Sequence, residues 1–371
     1  MLRVELIQNL RANKPALLDW DRLRVRVLKD PRKPLTRVSK LGVIHGGLEK
    51  ESAIYRISDG TSSFIVKQYF DTAILRRERA NMSFVNMVDL IAPEILYSDD
   101  ETNTILMEDL GDMSLAYLWK NGLMKEYEEW VYRSMRILAQ VQSYYSAHRA
   151  RLEALYEGMV PCRNETPPLP DGLSSTIDEI LRISRGTELE KKHRESLQEV
   201  EIDLKAKMED FIREYKDFVM DIIPLHVIEK DGRIRLLDFT APPIGSVLFQ
   251  FNATWHLQSR REIILYYLRE RDGLNLPHID HEEFLWLADG LQLLECIEWI
   301  RIYCGEIIQG RHFLTDLEGR KLSDYERSEG GNLQALYRAL APHKDFCTVI
   351  DILDEYFRAP LIKSRENAPD C

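Results

Sequence analysis

The sequence predicts an α+β chain, in which a small antiparallel sheet carrying one helix is followed by a larger, mainly helical part. Two observations carry this. Between Leu35 and Glu108, short runs rich in Ile, Val, Tyr and Phe alternate with polar turns, the pattern of strands. After Ser114 the apolar residues recur at helical spacing instead.

The elements follow in order. Leu35 to Leu41, Ala53 to Ser58 and Ser63 to Phe70 read as strands, with Asp59-Gly60 marking a tight hairpin between the last two. Ala73 to Val88 is a charged helix. Ala92-Pro93 then leads into two further strands, Glu94 to Tyr97 and Thr104 to Glu108, joined by a polar turn. Tyr127 to Glu157 is helical, with Trp130, Met135, Leu138, Val141 and Tyr145 on one face. Cys162 to Leu173, with its prolines, reads as a loop or insertion, and Thr187 to Tyr215 as a long, solvated, charged helix. Asp231-Gly232 separates a strand pair, Leu225 to Glu229 and Arg233 to Phe239. Phe284, Leu287, Leu291, Leu294 and Ile297 share a helix face, Asp351 to Phe357 is a second amphipathic piece, and Ser364 to Cys371 reads as a frayed tail.

At 371 residues, 44% hydrophobic and 30% charged, the chain is long enough for two cored units. It has no apolar run long enough to span a bilayer, and its first residues lack the apolar core of a secretory signal, so the cytoplasm is the expected compartment. The net charge of −11 argues against a nucleic-acid partner and is compatible with a cationic small substrate. The five cysteines (Cys162, Cys296, Cys304, Cys347 and Cys371) are widely spaced, without a C-x-x-C pair, which argues against a zinc site or a disulfide scaffold. Cys296 and Cys304 read as small buried hydrophobes.

Four features bear on chemistry. Gly46-Gly47 lies in a turn between strands, where the absence of Cβ lets a backbone approach a phosphate closely. Alone it is no more than a hairpin turn. Lys67 stands in an apolar strand, FIVKQYF, where an arbitrary lysine would face solvent. Glu78, in the helix that follows, can pair with it; otherwise it is one charge among many. Asp238 closes IRLLDF at the end of a strand, where a carboxylate suits Mg²⁺ or simply caps a turn.

Each feature is ambiguous, but together they fall in a telling order. A glycine hairpin, strand lysine, helix glutamate, two strands, helices and a hairpin ending in Asp-Phe is the kinase layout. The chain resembles the aminoglycoside phosphotransferase and choline kinase branch of the protein-kinase-like, two-lobe fold over roughly residues 35 to 315, most specifically in ILMEDLGDMSL, Ile105 to Leu115. RRERANM is similar to that branch's glutamate helix, and Phe284 to Gln309 to its C-terminal helical subdomain. The resemblance implies an N-terminal helical extension (1–34), a nucleotide-binding sheet and hinge (35–110), a helical lobe with the catalytic and metal loops (111–363) and a flexible tail (364–371).

It also implies ATP and Mg²⁺ as cofactors and a small-molecule hydroxyl acceptor, a metabolite or antibiotic, bound in the helical lobe. Gly46 and Gly47 would cover the phosphates, Lys67 held by Glu78 would grip them, and backbone groups of Glu108, Asp109 and Leu110 would hold adenine. Asp238 would bind the metal.

The catalytic loop departs from the family pattern. No His-Gly-Asp triplet is present in KDFVMDIIPLHVIEKDGRIRLLDF. Asp221 followed by His226 keeps the family's spacing from base to metal-binding Asn. That makes Asp221 the candidate for the catalytic role and His226 a second candidate metal ligand, though the distance on to Asp238 is then one residue short. Counting back from Asp238 instead selects Met220 and Leu225, which cannot do the chemistry; Asp217 is a further candidate. Gly245-Ser246-Val247 and Gln250 stand where the family shows Gly-Asp-Pro and a bracing Asp. Three readings follow: a phosphotransferase, slow or altered; a catalytically degenerate pseudokinase that binds a nucleotide or a protein partner; or an enzyme that keeps ATP but transfers its nucleotidyl group.

Overall fold

The computed structural model describes residues 37–46, 49–58, 62–69, 71–156, 172–251, 254, 257–308 and 336–357. They belong to two compact units, one built from 1–163, 217–245 and 273–276, the other from 164–216, 246–272 and 277–371. Gly47, the Asp59-Gly60 turn, the N-terminal extension, most of the 162–173 segment and the tail lie outside the described residues.

The first unit contains a five-stranded antiparallel sheet of β1 (Arg37–Gly46), β2 (Glu49–Ser58), β3 (Ser63–Tyr69), β4 (Ile95–Asp99) and β5 (Thr104–Glu108), in the order β1-β2-β3-β5-β4. Register pairs Tyr55 with Val66 and Lys67 with Ile105. The central strands read as apolar because they are covered: Val66, Tyr69, Ile105, Leu106 and Met107 are all buried.

Helix α1 (Thr72–Val85) starts where Asp71 Oδ1 accepts the amide of Ala73 at 2.7 Å, an N-cap of the kind that satisfies an orphan donor. Its inward face carries Leu75, Glu78, Met82 and Val85, the i, i+3, i+7, i+10 stripe of an amphipathic helix. Phe84, fully buried, packs its ring against Tyr144 and Phe218, each at 5.4 Å. Burial of such a ring is worth about 1.5–3 kcal/mol.

Helices α2 (Leu115–Lys120) and α3 (Met124–Leu155) follow, α3 being kinked at His148. Tyr127, Val131, Met135, Leu138, Val141 and Tyr145 of α3 are buried, which is the face expected from the spacing. The strand pair around Asp231-Gly232 is a tight hairpin of β7 (Val227–Lys230) and β8 (Arg233–Leu236). Asp231 at φ 53° and Gly232 at φ 78° make the two-residue turn with positive φ at both positions, for which Asp-Gly is suited. The short strands β6 (Lys216–Phe218) and β9 (Ile244–Ser246) pair alongside.

The second unit is helical: α4 (Leu173–Arg185), α5 (Lys191–Glu214), α6 (Arg260–Gly273), α7 (His281–Ile308) and α8 (Cys347–Phe357). Helix α7 is apolar on most sides, with Phe284, Leu285, Leu287, Ala288, Leu291, Leu293 and Leu294 buried, so it forms the core of the unit. Gly290 permits close approach to α5: a Cβ there would overlap the Leu204 side chain.

Two expectations are corrected here. Helix α5 is not simply solvated, because Leu197, Leu204, Met208 and Phe211 form a buried stripe within its charged sequence. Leu173, read as the end of a loop, instead begins α4, whose C-terminus is closed by Gly186 at φ 67°. Cys296 is buried, as expected, and Cys347 is exposed.

Candidate active site

The site is assembled from β3, α1 and the segment that leaves β8, all within the first unit. Alternation along β3 sends Lys67 and Tyr69 to the same side, and both are buried. Glu78 lies on the inward stripe of α1 and is buried as well. Lys67 Nζ stands 2.8 Å from Glu78 Oε2 and 3.4 Å from Asp238 Oδ1. A lysine this well buried keeps its charge only with such partners. Burial presses its pKa down, but Glu78 and Asp238 outweigh burial and the net shift is upward.

Asp238 is displayed by an unusual backbone. Strand β8 ends at Leu236, and Asp238 itself has φ 58°, in the left-handed region that aspartate tolerates better than most residues. Thr240 steadies the carboxylate, its hydroxyl donating to Oδ1 at 2.6 Å and its amide at 3.3 Å. Burial pushes the Asp238 pKa up, but the charges of Lys67 and His226 and the Thr240 hydroxyl prevail and hold it at about 2. The carboxylate is therefore ionised throughout the physiological range.

Residues the motif search did not single out hold this arrangement in place. The Tyr69 hydroxyl donates to Glu78 Oε2 at 2.5 Å, and burial first, then the Glu78 charge, push its pKa well up. Asn81, one turn on from Glu78, donates through Nδ2 to the carbonyls of Phe239 (2.8 Å) and Ala241 (3.1 Å), while the Tyr156 hydroxyl donates to its Oδ1 at 2.7 Å. Arg77 Nη1 donates to the Thr240 carbonyl at 3.1 Å. Helix α1 thus clamps both the lysine and the chain around Asp238. The alternation of β3 could have marked Tyr69, and the i+3 position could have marked Asn81. Their partners, about 160 residues away for Asn81, could not be read from the chain.

The loop before β7 brings Asp221 and His226 to the same place. His226 Nε2 lies 3.8 Å from Asp238 Oδ2, and its Nδ1 lies 3.1 Å from Asp221 Oδ2, off the line of a hydrogen bond. Met220 and Ile222 are buried while Asp221 between them is exposed, in a tightly turned stretch where the Ile222 amide donates to the Met220 carbonyl and the Ile223 amide to that of Asp221, each at 3.0 Å. The loop is pinned by Ala116 N to Pro224 O at 2.9 Å, Leu237 N to His226 O at 2.8 Å and Val219 N to Pro243 O at 2.7 Å. Gln142 of α3 donates to the Phe218 carbonyl at 3.0 Å. Of the two counts open in the sequence, the pair Asp221 and His226 lies beside Asp238, whereas Met220 is in the core and Leu225 is exposed. Asp217 is buried in β6 and accepts from the amide of Phe218 at 2.8 Å.

At the end of β5, Glu108 receives Lys230 Nζ at 2.7 Å and Arg235 Nη2 at 3.0 Å. Burial raises its pKa, but these cations and the Glu94 backbone outweigh that and lower it. Asp109 is held by Arg56 at 2.7 Å and by the Ser63 hydroxyl at 2.6 Å, and its carbonyl accepts Lys230 Nζ at 2.7 Å. Leu110 is buried, and Gly111, at φ 86°, turns the chain with its amide on Asp109 Oδ1. Gly46 ends β1, paired with Glu49.

A buried strand lysine is thus held between a helix glutamate and the aspartate that follows a hairpin, on a five-stranded antiparallel sheet. This arrangement resembles the layout of the protein-kinase-like fold.

Solved structures similar in fold include choline kinase LicA from Streptococcus pneumoniae, 11% identical, covering 83% of this chain and 94% of that one, with a TM-score of 0.42. An ethanolamine kinase from Plasmodium vivax is 12% identical, covering 91% and 92%, with a TM-score of 0.42. A thermostable mutant of an aminoglycoside phosphotransferase, solved as a ternary complex with ADP and hygromycin B, is 14% identical, covering 87% and 99%, with a TM-score of 0.38. No protein-family model matches the chain, and no curated protein does. These scores lie below 0.5, so the reading of the site rests on its own geometry.

Proposed function

We propose that the chain is an ATP-dependent phosphotransferase acting on a hydroxyl of a small, cationic metabolite or antibiotic. The observation that supports this most strongly is the triad of Lys67, Glu78 and Asp238, with Nζ 2.8 and 3.4 Å from the two carboxylates. In phosphoryl transfer the protein mainly positions the phosphates and neutralises their charge. Lys67, oriented by Glu78 and Tyr69, would meet the α- and β-phosphates. The glycines Gly46 and Gly47 would cover them, and backbone groups of Glu108 to Leu110 would receive adenine.

An ionised, partly exposed Asp238 suits Mg²⁺, a hard cation that commonly takes one or two carboxylates and completes its shell with phosphate oxygens and water. Bound there, Mg²⁺ would supply charge neutralisation. His226 is the nearest further ligating side chain. Its nitrogen suits a hard cation less well than the oxygen of an asparagine would, so Asp238 carries most of this assignment. Asp221, exposed and beside His226, would accept or orient the proton of the acceptor hydroxyl.

A second reading, a nucleotide-binding pseudokinase, is favoured by one observation: the Asp221 carboxylate already faces the His226 imidazole, Oδ2 to Nδ1 at 3.1 Å, where a base would need to face the acceptor. A screen of ATP consumption with small alcohols and aminoalcohols separates the two. The transferase reading expects turnover that Asp238→Asn abolishes and that Asp221→Asn lowers by ~10²–10⁴-fold, the usual worth of a general base. Full activity in Asp238→Asn would sink it. Nucleotide binding with no turnover on any acceptor would select the pseudokinase.

A further inference from the structure

Asp272, His278 and His281 place three metal-ligating atoms within 4.8 Å of one another, the only such group among the described residues. All three belong to the second unit, so the cluster is separate from the residues of the kinase-type site. Asp272 is in the last turn of α6 and His281 opens α7. In the connection between them Leu276 and Ile279 are buried, and Asn275 adopts φ 55°. Asp280 fixes the start of α7, its carboxylate accepting the amide of Glu283 at 2.8 Å and its carbonyl that of Phe284 at 2.9 Å. The side chains of His278 and His281 therefore project from an ordered turn.

His278 Nδ1 lies 3.2 Å from Asp272 Oδ1, and His281 Nε2 lies 3.0 Å from Asp272 Oδ2. The two histidines address different oxygens of one carboxylate, and one ligand atom from each of the three residues lies within 4.8 Å of the others. Small side-chain rotations would therefore gather them around one ion, whose donors stand about 3.3 Å apart when bound tetrahedrally at about 2.0–2.1 Å. Two imidazoles and one carboxylate make a borderline set that favours Zn²⁺ and its neighbours over Mg²⁺. Exposure of Asp272 and His278 leaves the fourth position to water.

We propose that Asp272, His278 and His281 bind one divalent transition-metal ion, such as Zn²⁺, which clips the end of α6 to the start of α7. The ligands come from the end of α6 and the start of α7, so a bound ion would brace the helix pair. Coordination requires neutral imidazoles, so affinity falls as the pH is lowered.

The test is titration of the full chain with Zn²⁺ alone, without nucleotide, by calorimetry at neutral pH, followed by the Co²⁺ visible spectrum. The expected result is one equivalent bound, at least tenfold weaker in Asp272→Asn and in His281→Ala, and unchanged in His148→Gln. Co²⁺ should give a ligand-field band in the wild type that both site variants lose. Circular dichroism confirms that the variants, altered at surface positions, are folded. Absence of saturable binding in the wild type, or binding unaffected by both site variants, would overturn the proposal.

Discussion

Replacement of Lys67 by methionine removes the cation that contacts both Glu78 and Asp238, and the structure sets the size of the effect. The Lys67 and Glu78 side chains are 5% and 3% exposed, and that of Asp238 is 16% exposed. Removing one member of such a buried group leaves uncompensated charge and costs about 3–5 kcal/mol. An independent measure comes from Asp238 alone. Its pKa falls from 3.8 to about 2 against the opposing push of burial. A shift approaching two units is worth about 2 kcal/mol of folded-state stabilisation, shared among Lys67, His226 and Thr240.

The sign of the pH dependence follows. A carboxylate with a depressed folded-state pKa contributes stability that is fully present above its unfolded value, here near 3.8, and lost as pH falls toward 2. In Lys67→Met the second-largest influence on Asp238 is gone and its pKa moves up, so the variant has less of this stability to lose. Urea unfolding at pH 7 and again at pH 3 should show a deficit of about 3–5 kcal/mol at pH 7 that narrows at pH 3. A deficit below about 1 kcal/mol at pH 7, the size expected of an exposed pair, would refute the reasoning. So would a deficit that is the same at both pH values.

Two further substitutions test how the site is supported. Asn81→Leu leaves the Phe239 and Ala241 carbonyls without their donor and should cost about 2–3 kcal/mol in urea unfolding. It should also weaken ATP binding through Asp238; unchanged affinity would detach α1 from the site. Gly290→Ala introduces a Cβ that overlaps Leu204 and should destabilise by about 1–3 kcal/mol, read as a lower thermal midpoint, while ATP affinity stays constant. A neutral or stabilising result would mean that α5 and α7 do not pack as described.

Much of the sheet was legible because its determinants are local. Thr104 to Glu108 stands as expected, and β3 begins at Ser63 as expected and runs to Tyr69, Phe70 lying outside the described residues, since short apolar runs rich in Ile, Val, Tyr and Phe between polar turns mark such covered strands directly. The three-residue strands β6 and β9 carry too few residues for any period to emerge. Helix α5 was misread because its charge count outweighs the sparse apolar stripe, yet that stripe alone decides burial.

The site was legible in its order of parts: Lys67, Glu78 and Asp238 converge as the succession of elements implied. The loop was not. Spacing counted from Asp238 selects Met220 and Leu225, which side-chain chemistry rejects, and it is the three-dimensional path, one residue shorter before Asp238, that sets His226 beside it. Tyr69, Thr240 and Asn81 were missed for a related reason, since each matters through partners that folding brings close.

Calorimetric titration with ATP, with and without Mg²⁺, on the wild type and on Asp238→Asn tests the central claim most directly. Metal-dependent binding to the wild type that is lost in Asp238→Asn is the predicted result. Failure of the wild type to bind ATP under either condition would contradict the assignment of the Lys67, Glu78 and Asp238 cluster as a nucleotide site.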